Sequence, residues 1–258
     1  GQPPSGANWG LTPGNGRTVP TATAAIASRD VSRLRVKWAF AFPQAQRARS
    51  HPLLAGGAIF TGSQDGTVYA LDQETGCVRW TFQARTEVRT GIAITPWAQD
   101  NPRAQPTLFF GDLIGNLYAV NATTGAQVWT AHPEDHPATT VTATPTFHEG
   151  IVYAPISSLE VVSATNPSYE CCSFRGSVAA LDAATGDDVW DVRLKGEFRD
   201  EFYQSSIAII DDVAVFLNGH LIGLDARTGK TLWQGDAKKT RGSHNSPVIW
   251  KTGGRELV

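Results

Sequence analysis

The sequence contains no methionine, only three cysteines and no hydrophobic run long enough to span a bilayer. A chain without Met does not start at an initiator, and no signal peptide is visible in it. The expectation is a processed, truncated or engineered form of something longer. The missing hydrophobic run excludes a transmembrane helix. Charge of one sign is also lacking: the formal charge is −2 and the pI about 6.3, which leaves no electrostatic footprint for nucleic acid or an anionic membrane. Neither Cys-x-x-Cys nor clustered histidines occur, which makes zinc a poor reading, and the absence of Cys-x-x-Cys-His excludes covalent c-type haem. No Gly-x-Ser-x-Gly, P-loop or Gly-x-Gly-x-x-Gly stands in a strand–helix setting, so the common hydrolase and nucleotide motifs are absent too.

What is present is a core and a repeat. With 41% hydrophobic and 18% charged residues the chain can bury a core, and 25 Gly, 15 Pro and 8 Trp point to short strands and tight turns. Four segments share one frame: GTVYALDQETGCVRW (66–80), GNLYAVNATTGAQVW (115–129), GSVAALDAATGDDVW (176–190) and GHLIGLDARTGKTLW (219–233). Each reads as a hairpin. The alternating run is a strand, the Asp or Asn side chain bonds backbone donors in the turn, and the Gly accepts positive φ. A further strand pair precedes each hairpin, giving about four strands per unit. Trp38, Trp80, Trp129, Trp190 and Trp233 stand 42, 49, 61 and 43 residues apart.

Four strands in 40 to 50 residues is the size of a propeller blade. The expectation is an all-β fold: one β-propeller domain over residues 1–258, with about five to six four-stranded blades and recurring tryptophans wedged between them. An incomplete ring stays open as an alternative, and the opening NWGLTPGNGRTV is a candidate to pair with the last blade. Two long steps hold insertions, a Pro-rich loop at 95–106 and a segment at 155–175 with adjacent cysteines, Cys171 and Cys172. Such insertions are expected on one face, the binding face. Cys77 is expected to be free, a small core residue beside Trp80. Prolines follow both His132 and His136, so the pair reads as polar loop rather than as a helical metal site. Ser243, His244 and Asn245 are expected to begin an inner strand. Asn121 opens a glycosylation sequon, but the turn role suffices for it.

The Leu-Asp-x-x-Thr-Gly-x-x-x-Trp frame resembles the blades of the quinoprotein family, propellers that bind pyrroloquinoline quinone (PQQ) or descend from such binders. Non-catalytic outer-membrane assembly lipoproteins share it. More narrowly, VKWAFAFP, TGCVRWTFQ, VRTGIAI, FFGDLIGNLYA, APISSLE and YECCSFRGSVAALDAATG resemble the polyvinyl-alcohol dehydrogenase group, over about residues 7–194. Residues 196–258 resemble only the generic repeat.

The resemblance implies PQQ with Ca²⁺ at the propeller axis, an alcohol substrate (polymeric or secondary) and a separate electron acceptor such as a cytochrome; a disulfide between the adjacent cysteines would imply a periplasmic or secreted location. PQQ carries three carboxylates and needs cationic and hydroxyl partners, while Ca²⁺ needs oxygen ligands. By resemblance Arg89 meets a PQQ carboxylate, Thr142 and Ser157 contact the cofactor, Glu160 binds calcium, and Arg175-Gly176 leads into the next repeat. In the family a vicinal disulfide packs on the quinone, one blade earlier than Cys171 and Cys172 stand here. The pair is therefore expected either as such a ring, at the cofactor or stiffening its loop, or as two reduced, buried thiols.

Some positions depart from the family. Arg49 stands where the family carries a Glu, and an arginine cannot imitate a carboxylate. The later blades' Asn, Trp and catalytic Asp have no visible counterparts; Asn218 and Asp236 are merely the nearest residue types, and the general base is unassigned. Two other readings follow: a non-catalytic binding or scaffold propeller, and a fragment or artificial assembly that self-associates through open blade edges.

Overall fold

The structure is a computed structural model, and it describes residues 10, 12–16, 19, 24, 26–97, 104–174, 176–193, 205–236 and 245–258. Four antiparallel blades follow one another. The first is β1 (Leu53–Ala55), β2 (Ala58–Gly62), β3 (Thr67–Asp72) and β4 (Val78–Gln83). The second is β5 (Ala93–Ile94), β6 (Thr107–Gly111), β7 (Leu117–Asn121) and β8 (Gln127–Ala131). The third has β10 (Thr146–His148), β11 (Ile151–Ser158), β12 (Ser177–Asp182) and β13 (Asp188–Arg193), with β9 (Thr139–Thr140) added beside β11. The fourth is β14 (Ala208–Ile210), β15 (Val213–Asn218), β16 (His220–Asp225) and β17 (Thr231–Gln234). A two-stranded hairpin of β18 (Trp250–Thr252) and β19 (Arg255–Leu257) follows them. Against the five to six blades expected, the described residues thus form four complete blades and this hairpin, and their sheets do not close on one another.

The core lies between blades. Along β7, Tyr118 and Val120 pack toward the first blade while Leu117 and Ala119 pack toward the third. In the third blade Ala179 and Leu181 face back, and Val178 and Ala180 face the fourth. Side chains alternate across a strand, so a strand sandwiched between two neighbours is apolar at every position.

The repeat frame forms the joints. In the third turn, Asp182 Oδ1 accepts the N–H groups of Ala184 (2.8 Å) and Thr185 (2.9 Å), and Gly186 has φ +79°. The indole of Trp129 covers this turn and donates to the Ala183 carbonyl at 3.0 Å; a Cβ on Gly186 would lie 2.8 Å from its ring. Trp38, Trp80 and Trp190 make the same bond to Gln73, Ala122 and Ala226. Glycine is thus required twice, for its φ and for the indole's approach. Asn121 fills the turn role in the second blade, accepting from Thr123 and Thr124.

Hydroxyls also link blade to blade. The N–H of Gly91 donates to Thr144 Oγ1 (2.9 Å), that of Thr144 to Ser206 Oγ (3.2 Å), and that of Ser206 to Ser246 Oγ (3.0 Å). Where it is described, the opening segment touches the chain just before the last hairpin: Ile249 N–H donates to the Gly14 carbonyl and Asn15 Nδ2 to that of Pro247.

Three expectations are corrected. Cys77 is free but exposed, because it leaves the turn onto an outermost strand that has only one covered side. Asn245 is exposed and lies in no strand, the chain becoming strand only at Trp250; Ser243 and His244 lie outside the described residues. The two insertions do not share a face. That at 95–106 joins β5 to β6, at the blade end bearing the Thr-Gly turns, and its Trp97 covers Gly56 in the β1–β2 turn. That at 155–175 extends β11 and leads to β12, at the opposite end.

Candidate functional site

Strand direction decides which segments can share a surface. The second-to-third strand turns lie at the same blade end as the connectors that carry the chain from an outer strand to the next inner strand. Arg89 and Thr142 lie in such connectors, and Ser157, Glu160, Cys171 and Cys172 lie in the β11–β12 insertion. Backbone bonds tie the two kinds of segment together: Val88 N–H to Ser63 O (3.1 Å), Val141 N–H to Asp112 O (3.1 Å) and Leu159 N–H to Ala138 O (2.8 Å).

Register fixes blade equivalence. Leu53, Ala93 and Thr146 pair with Phe60, Phe109 and Tyr153 at matching places, and Arg49, Arg89 and Thr142 each stand four residues before them. The two residues implied for one cofactor are therefore the same blade position in successive blades. Two residues earlier stand Arg47, Glu87 and Thr140. Arg47 and Arg89 each reach Glu87 Oε2 at 3.0 Å. Burial pushes the Glu87 carboxyl up, but the two guanidinium groups more than offset this and hold it below the ordinary carboxylate range. Arg89 keeps a buried Nε with no partner. Thr140 is fully buried, its Oγ1 also has no partner, and it pairs directly with Ser157 across β9 and β11.

Glu160 opens a short helix, α1 (Glu160–Ser163), inside the insertion and is 1% exposed. Its Oε1 accepts from the Tyr169 hydroxyl (2.8 Å), Ser173 N–H (3.0 Å) and Ser173 Oγ (3.3 Å), and its Oε2 accepts from Phe174 N–H at 2.9 Å. Burial alone would raise its pKa. The Ser173 amide, the Tyr169 hydroxyl and the Phe174 amide lower it instead, so the carboxylate is the form the loop is built around. Cys171 and Cys172 form a disulfide across a cis peptide one residue before Ser173; Cys171 is exposed and Cys172 half-buried.

No hydrogen bond or ion pair among the described residues joins Arg89 to Glu160: one belongs to the first connector, the other to its own insertion. Arg49 is exposed, and Arg175 lies outside the described residues. Sequence reasoning missed Glu87, Thr140, Ser173 and Asp112. Asp112 is fully buried and accepts from Asn116 Nδ2 (2.9 Å) and the Tyr118 hydroxyl (2.7 Å). Its Asp-x-x-Gly-Asn spacing was the one visible signal.

Tryptophan-docked four-stranded blades, with a polar surface at the connector end, define a β-propeller of the PQQ-repeat class. The chain belongs to the family described as outer membrane protein assembly factor BamB (PQQ_2), whose model matches residues 6–166 and 115–254. Over 182 residues it is 37% identical to polyvinylalcohol dehydrogenase of Pseudomonas sp. and, over the same length, 38% identical to that of Sphingopyxis sp. (strain 113P3). Those matches cover 70% of this chain and only 28% and 27% of the two relatives. The fold is that of the quinohemoprotein alcohol dehydrogenase from Comamonas testosteroni, with a TM-score of 0.71 at 17% identity over 98% of this chain and 45% of that one. No helix among the described residues is long and apolar enough to cross a membrane.

Proposed function

We propose that this chain is part of a PQQ-dependent dehydrogenase of alcohols, polymeric or secondary, acting in the periplasm or outside the cell and passing electrons to a separate acceptor such as a cytochrome. The observation that carries this is Arg89: a guanidinium fixed by Glu87 that still holds a buried, unpartnered Nε–H. A carboxylate ligand would complete it, and a buried unpaired donor is costly without one. Thr140, whose Oγ1 is likewise buried without a partner, offers a hydroxyl to the same kind of ligand, and Ser157 stands beside it on the neighbouring strand. Thr142 repeats the Arg89 position one blade on, and the Cys171–Cys172 ring lies at the same end of the blades. When bound, PQQ supplies a two-electron acceptor for the hydride of an alcohol.

Calcium has less to hold it. Glu160 Oε1 is filled by three donors and Oε2 by one, so a cation is offered one acceptor position. Glu160 belongs to no cluster of three metal-ligating side chains among the described residues. The remaining Ca²⁺ ligands would be carbonyl and hydroxyl oxygens.

The test is equilibrium dialysis of the folded chain against PQQ, with and without Ca²⁺, followed by dye-linked alcohol oxidation. Saturable binding is expected, weakened about tenfold or more in Arg89→Ala by loss of one charge-assisted contact. No binding by the folded chain rejects the proposal. It would leave the second reading, a non-catalytic binding or scaffold module, which the description of the matched family and the arginine at position 49 both favour.

A further inference from the structure

We propose that His136 is a positioning residue for the Cys171–Cys172 turn, acting through a directed chain of hydrogen bonds that ends on Glu160. His136 lies in the connector between β8 and β9, where the sequence predicts polar loop. Its Nδ1 accepts the N–H of Ala138 at 3.1 Å. That fixes the neutral tautomer, because a ring nitrogen that accepts an amide carries no proton. The proton is therefore on Nε2, which lies 3.0 Å from Ser173 Oγ and donates to it. The Ser173 hydroxyl, having accepted, points its own hydrogen at Glu160 Oε1 at 3.3 Å. The Ser173 amide donates to the same oxygen at 3.0 Å. The imidazole also packs edge-on against Phe174, with ring centroids 5.2 Å apart.

The chain thus runs from the connector, through Ser173, to the carboxylate that gathers the insertion. Ser173 follows Cys172 directly, so whatever holds Ser173 sets where the disulfide sits. Without His136 the insertion keeps its own internal bonds to Glu160 but loses the side-chain bond that His136 makes to it from the β8–β9 connector. The inference goes beyond the cofactor reading and does not depend on it, since it concerns how two segments of this chain are fixed together.

Two substitutions separate the donated bond from the bulk of the ring. In His136→Gln the side-chain amide can place an N–H where Nε2 stands. In His136→Asn the side-chain oxygen replaces Nδ1 but nothing reaches Ser173. The rate of reduction of Cys171–Cys172 by dithiothreitol, followed by intact mass with no cofactor added, reports the hold on the turn. Hydrogen exchange of the peptide containing Ser173 and Phe174 reports it independently.

The expected result is reduction and exchange about five- to tenfold faster in His136→Asn, and within about twofold of the parent in His136→Gln, for loss or retention of one hydrogen bond. Ser173→Ala, at an exposed position, removes the relay with the ring in place and is expected to match His136→Asn. Three outcomes overturn the proposal: parental rates in both His136→Asn and Ser173→Ala; equal acceleration in the Asn and Gln variants, which would assign the effect to packing on Phe174; or recovery of the cysteines of the oxidised parent as free thiols. Failure of PQQ binding leaves all these measurements standing.

Discussion

Trp129 and Trp233 occupy the same place in their blades and live in different surroundings. Trp129 is 7% exposed: it covers the next blade's turn, donates to the Ala183 carbonyl and leaves no room for a Cβ on Gly186. Trp233 is 38% exposed and meets no Thr-Gly turn among the described residues. It lies over Gly223, its cross-strand partner, where Trp80, Trp129 and Trp190 lie across from Ala70, Ala119 and Ala180. The blade sequence therefore specifies a tryptophan ready to dock, but the joint is a property of two blades. In a repeat protein stability is carried by such neighbour terms, and the fourth blade has this one on only one side.

The largest expected effect follows from breaking a complete joint. Trp129→Ala removes a nearly buried indole and its hydrogen bond and uncovers the turn at Gly186. A loss of about 3–5 kcal/mol is expected for such a truncation, measured by urea unfolding with the slope checked for constancy. A loss below about 1 kcal/mol would mean that Phe109, Phe147 and their neighbours hold the second and third blades together without the indole.

The joint was readable in the sequence because its parts are local: Asp or Asn, Thr-Gly and Trp each act within a few residues, and the spacing repeats. The candidate site was readable only in pieces. Arg89, Ser157 and Glu160 stood out by resemblance, but that Arg89 shares Glu87 with Arg47, or that Glu160 is encircled by Tyr169, Ser173 and Phe174, depends on chain segments that only the fold brings together. His136 shows the limit most clearly. Its following proline correctly excluded a helix, yet the tautomer and the partner come from Ala138 on one side and from Ser173, in a different insertion, on the other. Cys77 misled for a simpler reason: adjacency to a tryptophan strand implies burial only if that strand is covered on both sides, and β4 is not.

A smaller effect is expected where the joint is open. Trp233→Ala deletes an indole that rests mainly on its own blade, and a cost of about 1 kcal/mol is expected from the same urea measurement. Equality with Trp129→Ala would show that Trp233 is engaged in solution by something the described residues do not contain, and would erase the contrast between the two blades.

The smallest effect separates the turn from the indole it supports. Asp182 is held below the usual carboxylate range first by the Thr185 amide and then by that of Ala184. With its folded pKa depressed below the unfolded value near 3.8, the carboxylate contributes stability above that pH and loses it as pH falls through the folded pKa. The second blade carries Asn121 in the same turn, with the same two backbone bonds and nothing to titrate. Asp182→Asn is therefore expected to cost no more than about 0.5 kcal/mol at neutral pH, since the acceptor oxygen is kept. It should also flatten the acid limb of the stability curve below pH 4, as followed by urea midpoints across pH. If the acid limb is unchanged, the turn's charge is not what the joint uses, and the aspartate serves there only as a hydrogen-bond acceptor, as Asn121 does.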